Sequence, residues 1–522
     1  MRTRRRLEKN RKPMPRTSRA RRWSLSAGLV VVVLGAPGVG PVAGSAGEPA
    51  ATGPQDRFEG VRTRIRWFMQ HNRVPAVSVA VAHHGLLVWE EAFGNADREA
   101  ELEATPETPF RLASISKVVT ATGLMTLVER GLIALDAPVA DYLGDLELPT
   151  TDFDLEAVTT RRILHHTAGF PMYWESFAAS ETADVPTLRE SLERYAVVGY
   201  PPGERAVYSN IGFGVLEYVI QEVSGTTFDR FLEREVFDPM GMDDTRVLGA
   251  SGIGSATVYD ADGERMSFRI DPVKAHGSVA ATAGDLARFG MLHLRERTDG
   301  VSPILTDETI HLMQQDVDPV STYRLPWLVQ EWNGYEVVFF TGATGTILLL
   351  VPSEELVVVV LANRMFANTV QVAQRILGAS LPEYTRRASA PASASAISDQ
   401  DDGFQPPPEL LGTWEGTVRT YEGEVPVRLA FQSDGSVRFA RTDSVPDDPG
   451  VPPMESLAVE YRDRTFRAHF PLALPLTAAE RHEHWTWLTV TQVGDTLRGF
   501  ATAHAADAPL FGLPSYVELR RQ

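Results

Sequence analysis

Residues 383–408 divide this chain. From Thr385 to Pro408 the sequence is rich in Ala, Ser and Pro, and its only large apolar residues are Ile397 and Phe404. Such a stretch has too little apolar surface to fold and reads as a linker. The sequence on either side differs in texture, so two folded units are expected, residues 56–382 and 409–522. At 522 residues the chain is in any case too long for one core.

The first unit reads as mixed α and β. Val61 to His71 is helix-like, Val77 to Ala82 is a strand, His83-His84-Gly85 is a turn, and Leu86 to Trp89 is the return strand. Ser116 to Arg130 is expected to be an amphipathic helix closed by Gly131. Further helices are expected at 185–196, 211–224, 226–235, 285–295 and about 366–377. The apolar runs Val337–Phe340, Ile347–Val351 and Leu356–Leu361 read as adjacent strands of a buried sheet. Residues 409–522 read as all-β. Val425 to Phe431 and Ser436 to Arg441 flank Ser433-Asp434-Gly435, a hairpin signal, and strands follow at 485–490, 496–503 and 516–520.

The N-terminus reads as an address. Residues 1–46 hold eleven basic residues and one acid, Glu8, and Arg21-Arg22 precedes an uncharged run from Trp23 to Val42. Its most apolar part, Leu25 to Leu34, has the length of a signal-peptide core. Small residues follow at Val42-Ala43-Gly44-Ser45-Ala46, where cleavage fits after Ala43 or Ala46. The alternative is an uncleaved signal-anchor. Either way the body is expected outside the cytoplasm, periplasmic or extracellular, with membrane attachment only through that segment. Residues 47–55 are a short linker. The whole chain has 50 basic and 68 acidic residues, so removing the head leaves 39 against 67, a net of −28. A body of that charge repels phosphate backbones, which excludes nucleic acid as the expected partner.

Basic residues are also unevenly chosen. The chain has four lysines, Lys9, Lys12, Lys117 and Lys274, and only the last two lie in the body. Lys117 closes Ser114-Ile115-Ser116-Lys117, an S-x-x-K tetrad at a helix start. Spacing of three puts Ser114 and Lys117 on one face. A lysine whose pKa is lowered by burial accepts a serine proton, which arginine cannot do. The alternative is an N-cap serine followed by a solvated lysine. With no cysteine in the chain, disulfides, thiolate metal sites and a Cys nucleophile are excluded. Downstream lies Tyr208-Ser209-Asn210. A tyrosine beside a lysine cation has a lowered pKa and serves as a base. An asparagine there holds the lysine and a substrate amide. The alternative is a loop tyrosine with Asn210 capping the next helix.

Between and after these motifs come Ile163-Leu164-His165-His166-Thr167-Ala168-Gly169-Phe170-Pro171, Glu222-Val223-Ser224-Gly225, Phe237-Asp238-Pro239-Met240-Gly241-Met242 and Gly277 to Ala287. In this order they resemble the serine β-lactamase-related family, which includes class C β-lactamases, D-alanyl-D-alanine carboxypeptidases, D-aminopeptidases and esterases. The resemblance covers about 75–380. It implies an α+β, β-lactamase/transpeptidase-like fold: a five-stranded antiparallel sheet packed with helices, plus a helical lobe, with the active site between. It also implies a covalent acyl-enzyme on Ser114, proton transfer shared by Lys117 and Tyr208, and Asn210 positioning Lys117 and substrate. The all-β unit resembles the small lipocalin-like barrel appended to some secreted hydrolases.

The family's third motif, a Lys or His followed by Thr-Gly, is matched by Phe340-Thr341-Gly342-Ala343. By the resemblance these residues line the oxyanion and substrate site with Ser114, and the second oxyanion N–H comes from Ala343. Phe340 stands where the family has a cation. That loss weakens the case for a substrate carboxylate, as in β-lactams and D-Ala-D-Ala ends, and suits a neutral ester or amide. No metal or organic cofactor is required. His165-His166 reads as structural, His83-His84 as turn residues, and His482-Glu483-His484 as solvated strand residues. Lys274 reads as a surface lysine, the alternative being a charge near the cleft. The expected function is an exported serine hydrolase acting on an ester, amide or small peptide, peptidoglycan-derived peptides among them. The alternatives are a β-lactamase or D-alanyl-D-alanine carboxypeptidase, and a catalytically quiet binding or sensor protein on the same fold.

Overall fold

The computed structural model describes residues 56–149, 151–178, 181–182, 184–249, 254–295, 303–388, 404–443, 454–456, 459–505, 508 and 510–522. The 1–46 head, the 47–55 linker and residues 389–403 lie outside them.

The first unit is built on a seven-stranded antiparallel sheet. In spatial order its strands are Leu102–Glu103, Leu86–Asp97, Ala76–His83, Leu356–Ala362, Thr346–Val351, Tyr335–Gly342 and Leu328–Trp332. The five long central strands carry the sheet; the two edge strands exceed the number the resemblance implied. Leu356–Ala362 and Thr346–Val351 are buried at every residue. That is why they read as unbroken apolar runs rather than alternating ones. Leu348, Leu350, Val357 and Val359 face the Ala283–His293 helix. Gly290 lets that helix approach, since a Cβ there would lie 2.6 Å from Val357. Glu59–Asn72 and Val370–Ser380 cover the opposite face.

The helical lobe contains Ser116–Glu129, Thr160–Leu164, Leu188–Tyr195, Ile211–Ser224 and Phe228–Leu232, the last running into a π turn at Glu233–Phe237. Ser116–Glu129 is not amphipathic, contrary to expectation. Ser116 to Leu127 is buried on every side. Its polar residues are satisfied inside: Thr120 donates to the Ala275 carbonyl (2.9 Å), Thr122 to the Val118 carbonyl (2.9 Å), and Thr126 to the Gly123 carbonyl (2.8 Å). The Asp307–Gln315 helix has no counterpart in the sequence reading. The last helix starts at Val370 rather than 366, and Pro382–Ala388 adds a turn of helix inside the stretch read as linker.

The C-terminal unit is a nine-stranded antiparallel half-barrel. Its first long strand, Gly412–Thr420, pairs with both Gly423–Phe431 and the last strand, Gly512–Arg521. The remaining strands follow as a meander, and Met454–Glu455 and Val459–Arg462 form its two edges. Residues alternate here. Phe466, Ala468 and Phe470 point inward beside Leu488 and Val490, while Arg467 and His469 between them point outward. The interior is filled with apolar side chains. His482 precedes the His484–Val493 strand and packs on Phe511, while His484 contacts the Leu474 carbonyl. The two imidazoles therefore do not share a strand face.

Candidate active site

Ser114 sits where the chain turns from the Phe110–Arg111 strand into the Ser116–Glu129 helix. The turn passes through Ala113 at φ 48°, a left-handed conformation costly for a residue with a Cβ. Ser114 lies in the short 3₁₀ turn Ala113–Ile115 and is half-exposed. The Tyr335–Gly342 strand ends against this elbow. Thr346 donates to the Leu112 carbonyl (3.0 Å) and Thr344 to the Arg111 carbonyl (2.7 Å). A Cβ on Gly342 would stand 2.1 Å from the Leu112 oxygen, so only glycine fits. Thr341, Gly342 and Ala343 are thereby held beside Ser114, each half-exposed. Phe340 is different. It is 2% exposed and packs into the core below Tyr323, ring centroids 6.1 Å apart. It forms the wall behind the cleft rather than its surface.

Lys117 is fully buried. Its Nζ lies 2.7 Å from Asn210 Oδ1, 3.1 Å from the His276 carbonyl and 3.5 Å from Ser114 Oγ. Among the described residues no carboxylate reaches it, and burial alone drives its pKa well below the ordinary lysine range. A neutral amine has two N–H donors and one lone pair. Two carbonyl oxygens use the donors, and the lone pair is left for Ser114. Asn210 is fixed in turn: its Nδ2 donates to the Tyr173 carbonyl at 2.9 Å. A donor at one end and a carbonyl at the other admit a single amide orientation. Asn210 precedes Ile211–Ser224 but spends its side chain on Lys117 and Tyr173, not on capping that helix.

The Tyr208 phenol lies near Ser114, and its ring lies 4.7 Å from Lys117 Nζ. Burial raises its pKa above the ordinary value, opposite to the lowered phenol expected from sequence. That expectation presumed a lysine cation, whereas burial disfavours the charged form of this lysine. Tyr208 is therefore a neutral phenol, able to donate a proton. Its ring rests on His166 (4.5 Å) and near Tyr323 (5.8 Å). His166 Nδ1 accepts the Ser209 N–H at 3.1 Å, which puts its proton on Nε2. His165 turns away, toward the Tyr323 carbonyl (2.8 Å) and Asp316 (3.3 Å).

The structure thus brings Ser114, Lys117, Tyr208 and Asn210 together, with Thr341 to Ala343 alongside. The sequence reading missed the His276 carbonyl, Tyr173 and Tyr323. His276 had one signal, its place two residues after a scarce body lysine. Lys274 itself is half-exposed and faces Glu217 and Asp229, not Ser114. Its backbone N–H and that of Ala275 donate to Glu217 Oε2 (2.7 and 2.9 Å). These bonds hold the segment that presents the His276 carbonyl. Chemically, a serine hydroxyl between a neutral amine and a neutral phenol is equipped to lose its proton to one and gain a donor from the other.

Residues 61–381 match the family model described as Beta-lactamase. Penicillin-binding protein 4 of Amycolatopsis lactamdurans is 28% identical over 342 residues, 59% of this chain and 84% of that protein. Esterase EstB of Burkholderia gladioli is 31% identical over 215 residues, 39% of this chain and 54% of its own length. Among solved structures, SurE matches 90% of this chain and 100% of its own at 21% identity and TM-score 0.58. A class C beta-lactamase matches 62% and 96% at 20% identity and TM-score 0.53. The likeness to SurE extends over both folded units, as its coverage requires.

Proposed function

Because the chain belongs to the beta-lactamase family, whose members are serine hydrolases of β-lactamase, carboxypeptidase and esterase type, we propose that it forms an acyl-enzyme on Ser114. The carrying observation is the fully buried Lys117, whose Nζ lies 2.7 Å from Asn210 Oδ1, 3.1 Å from the His276 carbonyl and 3.5 Å from Ser114 Oγ; in the neutral amine the first two take its N–H donors and its lone pair serves Ser114. In the acylation step the Oγ–H proton passes to Lys117 Nζ as Oγ bonds to the substrate carbonyl carbon. The oxyanion is held by the backbone N–H groups of Ser114 and Ala343. Collapse expels the leaving group, which takes the Tyr208 phenol proton, and the Lys117 proton restores the phenol. Water then repeats the sequence to release the acid.

Phe340, buried where the family carries a cation, supports a neutral ester or amide over a substrate bearing a carboxylate beside the scissile bond. Relatives named Penicillin-binding protein 4 and putative D-alanyl-D-alanine carboxypeptidase favour a second reading, a peptidoglycan stem peptide or a β-lactam. A fluorophosphonate should label wild type and leave Ser114→Ala unlabelled; a folded wild type that stays unlabelled supports the quiet binding reading instead. A short-chain nitrophenyl ester should then turn over faster than a chromogenic cephalosporin, and the reverse order favours the second reading. The head at 1–46 supports export, which mass spectrometry of the mature N-terminus tests: intact Met1 on soluble cytosolic protein defeats it.

A further inference from the structure

The half-barrel meets the chain leading into the catalytic machinery at residues 173–175. Trp174 exchanges both backbone hydrogen bonds with Gly512, at 2.9 and 2.6 Å, as an added strand residue. Glu175 follows, with its side chain 1% exposed. One carboxylate oxygen accepts the Tyr173 phenol at 2.9 Å, and the other accepts Arg481 Nη2 at 3.1 Å. Arg481 comes from the half-barrel loop before His484–Val493. It is itself fixed: Nε donates to the Ala478 carbonyl, and the guanidinium lies 4.0 Å over the Phe177 ring. Arg194 is the only other cation acting on Glu175, and it makes no hydrogen bond to it among the described residues. Just before this clamp, the Tyr173 carbonyl holds Asn210, and Asn210 holds Lys117.

We propose that Arg481 is a positioning residue for the active site: its ion pair with Glu175 fixes the 173–175 segment whose carbonyl orients Asn210 against Lys117. The proposal rests on the acyl-enzyme reading. A buried carboxylate deprived of its one direct cation must take a proton or move toward water, and either change loosens the segment. The Asn210 amide then wanders, and the Lys117 lone pair loses its aim at Ser114 Oγ. The half-barrel accordingly acts on the chemical step, not only on substrate capture. Other junction contacts differ in kind: Tyr421 of the half-barrel packs on Tyr195 (5.6 Å), which packs on Tyr173 (5.2 Å), Arg205 bonds Thr465 and Thr491, and Arg498 lies 5.6 Å from the Phe153 ring, away from residues 173–175.

The test uses the full chain and an ester substrate, with fluorophosphonate labelling as the acylation readout. Arg481→Met should lower kcat and the labelling rate about 10- to 100-fold while KM changes less than about 3-fold. Glu175→Gln added to Arg481→Met should recover at least about 5-fold of that loss, because a neutral amide needs no cation. Arg498→Met, a junction control, should label at the wild-type rate. Should Arg481→Met not fold, Arg481→Lys and the Glu175→Gln/Arg481→Met pair carry the same comparison by kcat. Wild-type labelling by Arg481→Met, or a double variant no better than the single, overturns the proposal and leaves the acyl-enzyme reading standing. No labelling of folded wild type overturns both.

Discussion

The two sheets of this protein bury different things. The hydrolase sheet is covered on both faces, and its unit takes ionisable groups into the core: Lys117, Glu217, His166, His276 and His293 are all buried. The half-barrel is covered fully on one face, and its interior is apolar; its most buried acid, Glu518, is held between Arg498 and Arg520. Both are antiparallel sheets of similar strand length, so strand geometry does not set them apart. What separates them is depth. Two helical layers create a region where an amine can lose its charge, whereas one sheet with a wet outer face cannot. The chemistry therefore belongs to the first unit, and the second can act only by reaching into it.

The strongest way to break this contrast is at Lys117. Lys117→Met removes the lone pair and keeps the volume; Lys117→Arg keeps a cation that stays protonated. Both should lower the rate of acylation at least about 10³-fold, measured by fluorophosphonate labelling. Activity of wild type should also rise with pH through the depressed titration of the amine, since only the neutral form accepts the Ser114 proton. Retained activity in Lys117→Arg would mean that depth of burial is not what equips this unit for chemistry.

A second prediction compares neighbouring residues. Leu348 and Leu349 point to opposite faces of the hydrolase sheet and are both buried. Each changed to Ala should cost about 2–5 kcal/mol in chemical denaturation. In the half-barrel, Phe466→Ala should cost about 3–5 kcal/mol, whereas its neighbour Arg467→Ala should cost under about 1 kcal/mol. Equal costs at Phe466 and Arg467 would erase the distinction between the sheets.

The same contrast explains what could be read from sequence. The unbroken runs at Thr346–Val351 and Leu356–Ala362 and the motifs around Ser114 and Tyr208 were legible because each is local. Ser116–Glu129 misled because its serine and threonines look like a solvent face, yet Ser116 accepts the Val279 N–H at 3.0 Å and Thr120 reaches the Ala275 carbonyl. The direction of the Tyr208 shift misled for a related reason: adjacency to a lysine is visible in sequence, but the lysine's burial is not. Gly412–Thr420 gave no signal, since its glycines and charged residues dilute the alternation. Arg481 was out of reach altogether, because its partner Glu175 lies 306 positions away.

The smallest effect expected concerns Glu217, a buried carboxylate of the helical lobe with no ion pair among the described residues. Burial, helped by nearby Asp229, raises its pKa to about 7 against the two N–H donors of Lys274 and Ala275 and the nearby Lys274 charge. The folded state thus holds a proton that the unfolded state releases near pH 4.5. Its contribution to stability is full below that pH and is lost as pH rises through about 7. Glu217→Gln keeps an oxygen for both N–H groups and has no proton to lose. The difference in unfolding free energy between Glu217→Gln and wild type should therefore move in favour of the variant between pH 5 and pH 8, by about 1–3 kcal/mol. Subtracting the two proteins cancels the opposite trend of Lys117, whose depressed pKa makes wild type and variant alike gain stability with rising pH. A difference that stays flat would mean that Glu217 is already ionised at pH 5, and that the lobe solvates a buried charge better than its depth implies.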